Sequence, residues 1–152
     1  MVRPGGILLL AIGAFLCFGC SGQRSVAAAQ LNATTLENVQ WTLLQIDGEA
    51  VKTSSRGTPT MSLASKDRRM AGFAGCNRMM GGYELDGEAL KFSEMATTRM
   101  ACIDVTPEEP LLRALGATTS WKVTGNTLEL FDGSGAVRTR WTVTMIESGD
   151  RK

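Results

Sequence analysis

Histidine is absent from this 152-residue chain, and reactive side chains in general are few. Without an imidazole, the chain cannot build a Ser-His or Cys-His nucleophile pair or a histidine-ligated metal site. Of its four cysteines, only Cys76 and Cys102 lie beyond the N-terminal leader, and they lack the C-x-x-C spacing that structural zinc sites use. The sequence therefore gives no support to histidine-dependent or metal-dependent catalysis.

A surplus of charge of either sign is also lacking. The chain has 16 Lys and Arg residues against 15 Asp and Glu residues. Because Arg3 belongs to the leader, the rest of the chain is formally neutral. A broad basic surface is thus not expected, and neither nucleic acid nor an anionic membrane surface is a predicted partner.

The acidic residues are not arranged for catalysis. A general acid and a general base need two carboxyl groups that face one site. The candidate carboxylates instead flank a predicted hairpin turn or begin a predicted helix: Glu84, Asp86, Glu88, Glu108 and Glu109. The run Gly133-Ser134-Gly135 lacks the G-x-S-x-G spacing of a nucleophile elbow. We therefore expect a non-enzymatic protein that needs no cofactor and no metal.

The N-terminus reads as an export signal. Residues 1–20 begin with a basic Arg3 and continue with an apolar run over 7–18, which is too short to span a bilayer. Cys20 follows a small residue at the end of this run, as the acceptor cysteine of a bacterial lipoprotein does, although Cys17 stands where a lipobox has Leu. The sequence predicts lipidation of Cys20, and Ser21 favours sorting to the outer membrane, facing the periplasm.

A competing cleavage site lies a few residues further on. Ala27-Ala28-Ala29 also suits ordinary signal peptidase, and cleavage before Gln30 would give a soluble periplasmic protein. Either site places the protein in the bacterial cell envelope. Residues 21–38, rich in Ser, Ala, Gln and Thr, are predicted to be a flexible tether, residues 39–146 a single domain, and residues 147–152 a tail.

Alternation of apolar and polar residues predicts that the domain is mainly β. The clearest alternation covers 137–145 and forms the last strand of a three-stranded meander over 120–146. A hairpin is predicted across the turn at 86–89, with Tyr83 and Leu85 facing Leu90 and Phe92. Earlier strands are expected over 39–46, 58–64 and 69–74.

One helix interrupts the strands. Thr106 is a predicted N-cap, Pro107 suits the first helical position, Glu109 can complete a capping box, and Gly116 is a plausible end. A short helix with one apolar stripe must lie on the sheet or plug a barrel. The expected fold is α+β: an antiparallel β-barrel, closed or incompletely closed, with a single capped helix before the C-terminal meander.

Two segments carry a more specific signal. Gly75-Cys76-Asn77-Arg78, followed by Met95-Ala96-Thr97-Thr98-Arg99-Met100-Ala101-Cys102, resembles the paired signature of the META domain, the HslJ-like family of bacterial envelope proteins. The resemblance covers residues 39–145 and implies Gly75, Cys76, Asn77, Thr98, Met100, Ala101 and Cys102 as motif residues. Met79 and Met80 depart from the more polar or aromatic pair expected after the first segment.

The motif cysteines have two interpretations. In an exported protein, oxidation to a Cys76–Cys102 disulfide is the expected fate, and closing this loop would contribute roughly 3.5 kcal/mol in the chain-entropy description. Alternatively, both are buried, reduced thiols that pack as small apolar groups. Asn77 is expected to satisfy backbone groups at a turn after Gly75, and Thr98 to cap or bridge strands, in preference to contacting a ligand.

Three functions agree with these features. The family resemblance implies an envelope stress or maintenance lipoprotein, with heat-shock associations, whose barrel surface binds another protein. A second reading is a carrier of lipid or another small apolar ligand, with an interior lined by methionines: Met61, Met70, Met79, Met80, Met95 and Met100. A lesser alternative is a periplasmic inhibitor that presents a loop to a hydrolase.

Overall fold

A computed structural model describes residues 35–103 and 106–144. The predicted signal peptide, the lipidation site Cys20, the alternative cleavage site before Gln30 and the tail 147–152 lie outside the described residues. Within the described part, no helix is long and apolar enough to cross a membrane.

The described chain forms nine strands and one helix. In chain order these are β1 Gln40–Ile46, β2 Glu49–Ala50, β3 Thr60–Ala64, β4 Arg69–Phe73, β5 Arg78–Asp86, β6 Ala89–Thr97, α1 Glu108–Gly116, β7 Thr118–Thr124, β8 Thr127–Asp132 and β9 Val137–Val143.

The sheet closes on itself. Every neighbouring pair is antiparallel, and β1 pairs with β3 along one edge and with β9 along the other. Eight strands therefore form a closed barrel, and β2 is a short additional strand on the end of β1. The predicted antiparallel β-barrel with one helix is confirmed, and the closed form is the correct one.

Two predicted pairings are confirmed, the first of them also in its register. Tyr83 lies opposite Phe92 and Leu85 opposite Leu90 in the β5–β6 hairpin, and β7, β8 and β9 form the meander. Both hairpin strands are longer than the sequence pattern indicates, because β5 begins at Arg78 and β6 continues to Thr97. The first signature segment therefore runs directly into a strand.

The barrel interior is filled by side chains. One contiguous cluster contains Trp41 and Trp141, both fully buried, together with Leu111, Ala114 and Leu115 from one face of α1. The helix thus contributes its apolar stripe to the common core, as a short helix must to be stable. Half of the predicted methionine lining belongs to this packed core: Met61, Met70 and Met79.

The start of α1 differs from the prediction. The helix begins at Glu108, Pro107 is its N-cap residue, and no side chain caps it, so the proposed capping box of Thr106 and Glu109 is wrong. The two acids have other partners: Glu108 accepts a hydrogen bond from Asn77, and Glu109 pairs with Arg113 at 2.9 Å. The expected end at Gly116 is confirmed.

The segment before β1 is packed rather than free. Leu36 is only 2% exposed, and its carbonyl oxygen accepts a hydrogen bond of 3.0 Å from Trp41 Nε1. Residues 36–38, the last three of the predicted tether, therefore belong to the folded domain. A single apolar residue between polar neighbours gives no periodic pattern, so the sequence did not predict that Leu36 is buried.

Three side chains, which we term the N-terminal clasp, hold this segment: Glu37, Arg68 and Tyr83. The Tyr83 hydroxyl donates to the Glu37 carboxylate and lies 3.0 Å from the Ala64 carbonyl oxygen. Arg68 pairs with Glu37 at 2.7 Å and lies over the Tyr83 ring. Burial, followed by the hydrogen bond to Glu37, raises the pKa of Tyr83 to about 12.

Candidate functional site

The two signature segments meet at one end of the barrel. Cys76, between β4 and β5, forms a disulfide with Cys102, beyond β6, with the two Cα atoms 6.0 Å apart. Gly75 precedes the bridge with φ +99°, a left-handed conformation that favours glycine. Its carbonyl oxygen accepts a hydrogen bond from Ser54 Oγ, which joins a third loop to the same place.

Asn77 is the centre of the polar contacts here. Its Oδ1 accepts from the Met100 amide at 2.8 Å and from Thr98 Oγ1 at 3.0 Å. Its Nδ2 donates to Glu108 Oε2 at 2.9 Å and lies 3.6 Å from Cys102 Sγ. The amide oxygen thus accepts two hydrogen bonds, and the amide nitrogen has a partner for each of its two N–H groups. We call these five residues the asparagine node.

The asparagine node connects distant parts of the chain. The interpretation of Asn77 as the local partner of a turn is wrong, because its partners lie 21 to 31 residues away. Thr98 lies beside Arg78: its Oγ1 accepts from the Arg78 amide, and its own amide donates to the Arg78 carbonyl oxygen, each at 3.0 Å. Thr98 thereby continues the β5–β6 pairing by one residue beyond Thr97.

The asparagine node positions one wall of an open cavity of about 700 Å³ on the outside of the barrel. We call this cavity the methionine groove. Met100, fixed by its backbone amide, is 47% exposed, and its sulfur lies 3.7 Å from the Arg56 guanidinium on another wall. The lining residues are Gln40, Arg56, Thr60, Met61, Ser62, Ala71, Gly72, Phe73, Cys76, Arg78, Met79, Met80 and Met100.

The floor of the methionine groove is the outer face of four neighbouring strands. One row across β1, β3, β4 and β5 consists of Gln40, Ser62, Ala71 and Met80. With strands about 4.8 Å apart, this row is roughly 14 Å wide. The small Ala71 lies in the row between Ser62 and the 47% exposed Met80, which leaves a depression beside the methionine.

A second row lies one pleat away. It consists of Thr60 on β3, Phe73 on β4 and Arg78 on β5. Gly57, with φ +125°, lies next to the Phe73 ring, since a Cβ atom there would be 3.7 Å from Phe73 Cε1. The turn that carries Arg56 is therefore at this end of the floor. The two arginines of the methionine groove therefore lie at the end of the floor that carries Phe73. Ala71 and Met80 lie in the neighbouring row.

The electrostatics of the methionine groove are one-sided. Its lining contains two guanidinium groups and no carboxylate. Neither Arg56 nor Arg78 forms an ion pair with any residue of 35–103 or 106–144, whereas Arg68, Arg113, Arg138 and Arg140 all do. Across that same part of the chain, no three His, Cys, Asp or Glu side chains come together in a way that could hold a metal ion.

A sequence model of the META domain family matches residues 34–144, nearly all of the described barrel. The chain belongs to the META domain family. This confirms the resemblance drawn from the two cysteine segments. Comparison with curated proteins finds no match.

Solved structures of similar fold agree with this assignment. An NMR structure of a protein from Burkholderia xenovorans is 28% identical, with a TM-score of 0.59, covering 72% of this chain and 84% of that one. A second protein solved by NMR is 22% identical, with a TM-score of 0.57, covering 71% and 91%. A DUF4847 family protein from Bacteroides vulgatus is 9% identical, with a TM-score of 0.53, covering 72% and 95%.

Some site residues of this META domain could have been predicted from the sequence, and others could not. Arg78 and Met80 follow Asn77 at strand spacing, so period two would have put both on one outer face. Met79 then points inward and is buried, which explains why the two adjacent methionines have different surroundings. Arg56 gave no signal, because it lies in a turn whose path depends on the Ser54 to Gly75 hydrogen bond.

Proposed function

We propose that this META domain chain is a non-enzymatic protein of the bacterial envelope that binds a segment of another protein in the methionine groove, in envelope maintenance or the stress response. The single observation that carries the proposal is the groove itself: a concave outer surface with exposed Met80 and Met100, in walls fixed by a disulfide and the asparagine node. A lipid anchor at Cys20 would hold the domain at the membrane.

Methionines suit such a surface. A flexible, polarizable thioether can adapt to partners of different shape, and exposed apolar side chains grouped in a concavity are typical of interaction sites. Isolated exposed apolar residues would not support the same argument. Here Met80 and Met100 come from different segments, and Phe73 lies on the floor directly beside Arg78 of β5.

The packed interior argues against a carrier that holds its ligand inside the barrel. A carrier needs an internal cavity, but Trp41, Trp141 and the stripe of α1 occupy the centre of the barrel. Of the six methionines expected to line a cavity, Met80 and Met100 are the ones whose side chains are exposed in the external groove, and the Met95 side chain packs against the core. An apolar small molecule in the methionine groove is thus an outcome that an experiment must distinguish from a protein segment.

Site-specific photo-crosslinking in the producing bacterium tests the proposal. We would place a benzophenone amino acid at Met80 of the full chain and, as a matched control, at the exposed Lys122 on β7. We expect a discrete protein adduct at position 80 that position 122 does not give. The adduct should be in the membrane fraction and become soluble in a Cys20→Ser chain.

Two results would contradict the proposal. Identical adducts at positions 80 and 122 would show that the methionine groove has no special partner. An adduct of lipid mass at position 80, without any protein adduct, would replace the protein partner by an apolar ligand.

A further inference from the structure

We propose that the methionine groove recognises an acidic, extended peptide segment, in which carboxylates pair with Arg56 and Arg78 and a neighbouring apolar side chain lies over Ala71 beside Met80. This inference rests on the proposed function and adds the chemistry of the partner.

Some arginines lack an ion-pair partner in the described part of the chain. There are four: Arg56, Arg69, Arg78 and Arg99. Two of them line the methionine groove, Arg69 lies on the same face of β4 as Ala71, and Arg99 precedes the wall residue Met100. Among the arginines, the charge that lacks an ion-pair partner in the described part of the chain is therefore grouped around one concavity. The four described lysines, which also form no ion pair there, do not line it: Lys52, Lys66, Lys91 and Lys122.

The order of groups along the floor sets the order within the ligand. Arg78 and Met80 share the outer face of β5 and are two residues apart, which is about 7 Å along the strand. An extended peptide repeats its side chains at the same interval on one face. A carboxylate that pairs with Arg78 thus places a side chain two residues away over Ala71, where Met80 offers an apolar contact.

The remaining lining favours a peptide over an acyl chain. Gln40, Thr60 and Ser62 contribute an amide and two hydroxyl groups, all half-buried, along the same floor. A peptide backbone carries a donor and an acceptor at nearly every residue and can satisfy these groups. The Ser62 hydroxyl already donates to the Ala71 carbonyl oxygen at 3.4 Å. A hydrocarbon chain would cover the Gln40 amide and the Thr60 hydroxyl without a hydrogen bond, which costs free energy.

Guanidinium groups also specify the anion. Arginine forms two parallel hydrogen bonds with a planar carboxylate, which adds geometric specificity to the charge attraction. Because Arg56 and Arg78 come from different segments, two acidic residues, or one acidic residue and a chain terminus, can be held at once. Binding should therefore weaken as salt concentration rises.

The first test uses the crosslink at position 80 with matched pairs of arginine substitutions. We expect the Arg56→Gln, Arg78→Gln chain to lose about tenfold or more of the protein adduct, because both charge-assisted contacts are removed. The Arg69→Gln, Arg99→Gln chain has the same change in net charge and should keep most of it. Equal loss in the two chains, or no loss in either, would overturn the inference while leaving the proposed function intact.

The second test measures binding to the purified full chain directly. The probes are an array of short peptides with Glu or Gln at alternate positions and Leu, Phe or Met between them, alongside vesicles of phosphatidylglycerol. We expect Glu peptides to bind at least about tenfold more tightly than their Gln counterparts, and Arg56→Gln, Arg78→Gln to abolish the difference. Equal binding of Glu and Gln peptides would refute the inference, as would arginine-dependent binding of vesicles alone.

Together the two tests distinguish a failure of the proposed function from a failure of the acidic-peptide inference. If the wild-type chain gives no protein adduct at position 80, the proposed function fails, and the peptide array then decides whether the methionine groove still has the predicted chemistry. If the adduct forms and neither pair of arginine substitutions reduces its amount, only the predicted acidic nature of the partner is wrong.

Discussion

The asparagine node and the N-terminal clasp solve the same problem with different chemistry. Each attaches an irregular segment to the barrel beside β5: the node attaches the chain that follows β6, and the clasp attaches the chain that precedes β1. The node relies on a buried neutral amide reinforced by a disulfide, with the Glu108 carboxylate as its one charged member. The clasp relies on an ion pair and a phenol, with Arg68 half exposed to solvent.

The difference shows which attachment shapes the candidate site. A covalent bond and a saturated amide hold their partners in one geometry, as a wall of a binding surface requires. A partly exposed ion pair contributes less and permits more movement. The two attachments should therefore respond to different challenges, the node to reduction and to charge at position 77, and the clasp to alkaline pH.

Removing the disulfide should have the largest effect. We expect Cys76→Ser, Cys102→Ser to lose about 3.5 kcal/mol of unfolding free energy, because the loop of 27 residues is no longer closed in the unfolded chain. Urea denaturation of the oxidised wild-type and variant proteins measures this loss. The clasp should be unaffected, so the native titration of Tyr83 should stay the same.

Alkylation is the control for the disulfide prediction. In wild-type protein that is unfolded without reductant, neither Cys76 nor Cys102 should be labelled. If both are labelled, the bridge is absent and the difference between node and clasp is smaller than we argue.

The next effect is expected at Asn77. Asn77→Ala removes all four contacts of the amide, and we expect a loss of about 2 to 3 kcal/mol, since water can reach some of the abandoned partners. Asn77→Asp keeps the shape but sets a carboxylate beside Glu108. It should be less stable than Asn77→Ala at neutral pH, and thermal denaturation of both variants measures the difference.

The pH dependence of Asn77→Asp identifies the cause. Two adjacent carboxylates raise the pKa of at least one of them above its unfolded value. Such a group favours folding below about pH 4 and loses that contribution as the pH rises. The deficit of Asn77→Asp relative to Asn77→Ala should thus shrink in acid and also shrink when Glu108→Gln is added. If the stability deficit stays the same in acid and after Glu108→Gln is added, packing and not charge is responsible for it.

The sequence predicted the fold better than the site, for a physical reason. Strand alternation and turn residues are local signals, so the Tyr83 to Phe92 register and the meander could be deduced. The contacts of Asn77 and the closure of β1 on β9 depend on residues far apart in the chain. The predicted start of α1 was wrong for a local reason: Pro107 is the N-cap residue, and Glu109 pairs with Arg113 in place of completing a capping box.

The smallest expected effect concerns the clasp. Tyr83→Phe deletes a hydrogen bond to a carboxylate that keeps Arg68 as a partner, so we expect a loss of roughly 1 to 2 kcal/mol at neutral pH. The folded pKa of Tyr83 is raised from its ordinary value of 10.0 to about 12. A raised pKa stabilises the fold fully below the unfolded value, and this contribution disappears as the pH passes through the interval between the two.

The chain contains a single tyrosine, so ultraviolet absorbance of tyrosinate reports Tyr83 alone. We expect the native protein to titrate near pH 12 and the urea-unfolded protein near pH 10. Over that interval the wild-type protein should lose more unfolding free energy than Tyr83→Phe, which has no phenol to ionise. A native titration near pH 10 would show that the clasp leaves Tyr83 open to solvent. The 35–39 segment would then owe its position to the burial of Leu36, to the Trp41 hydrogen bond and to the contacts of Asn38 with Leu63 and Ser65. The asparagine node would then be the stronger of the two polar attachments beside β5.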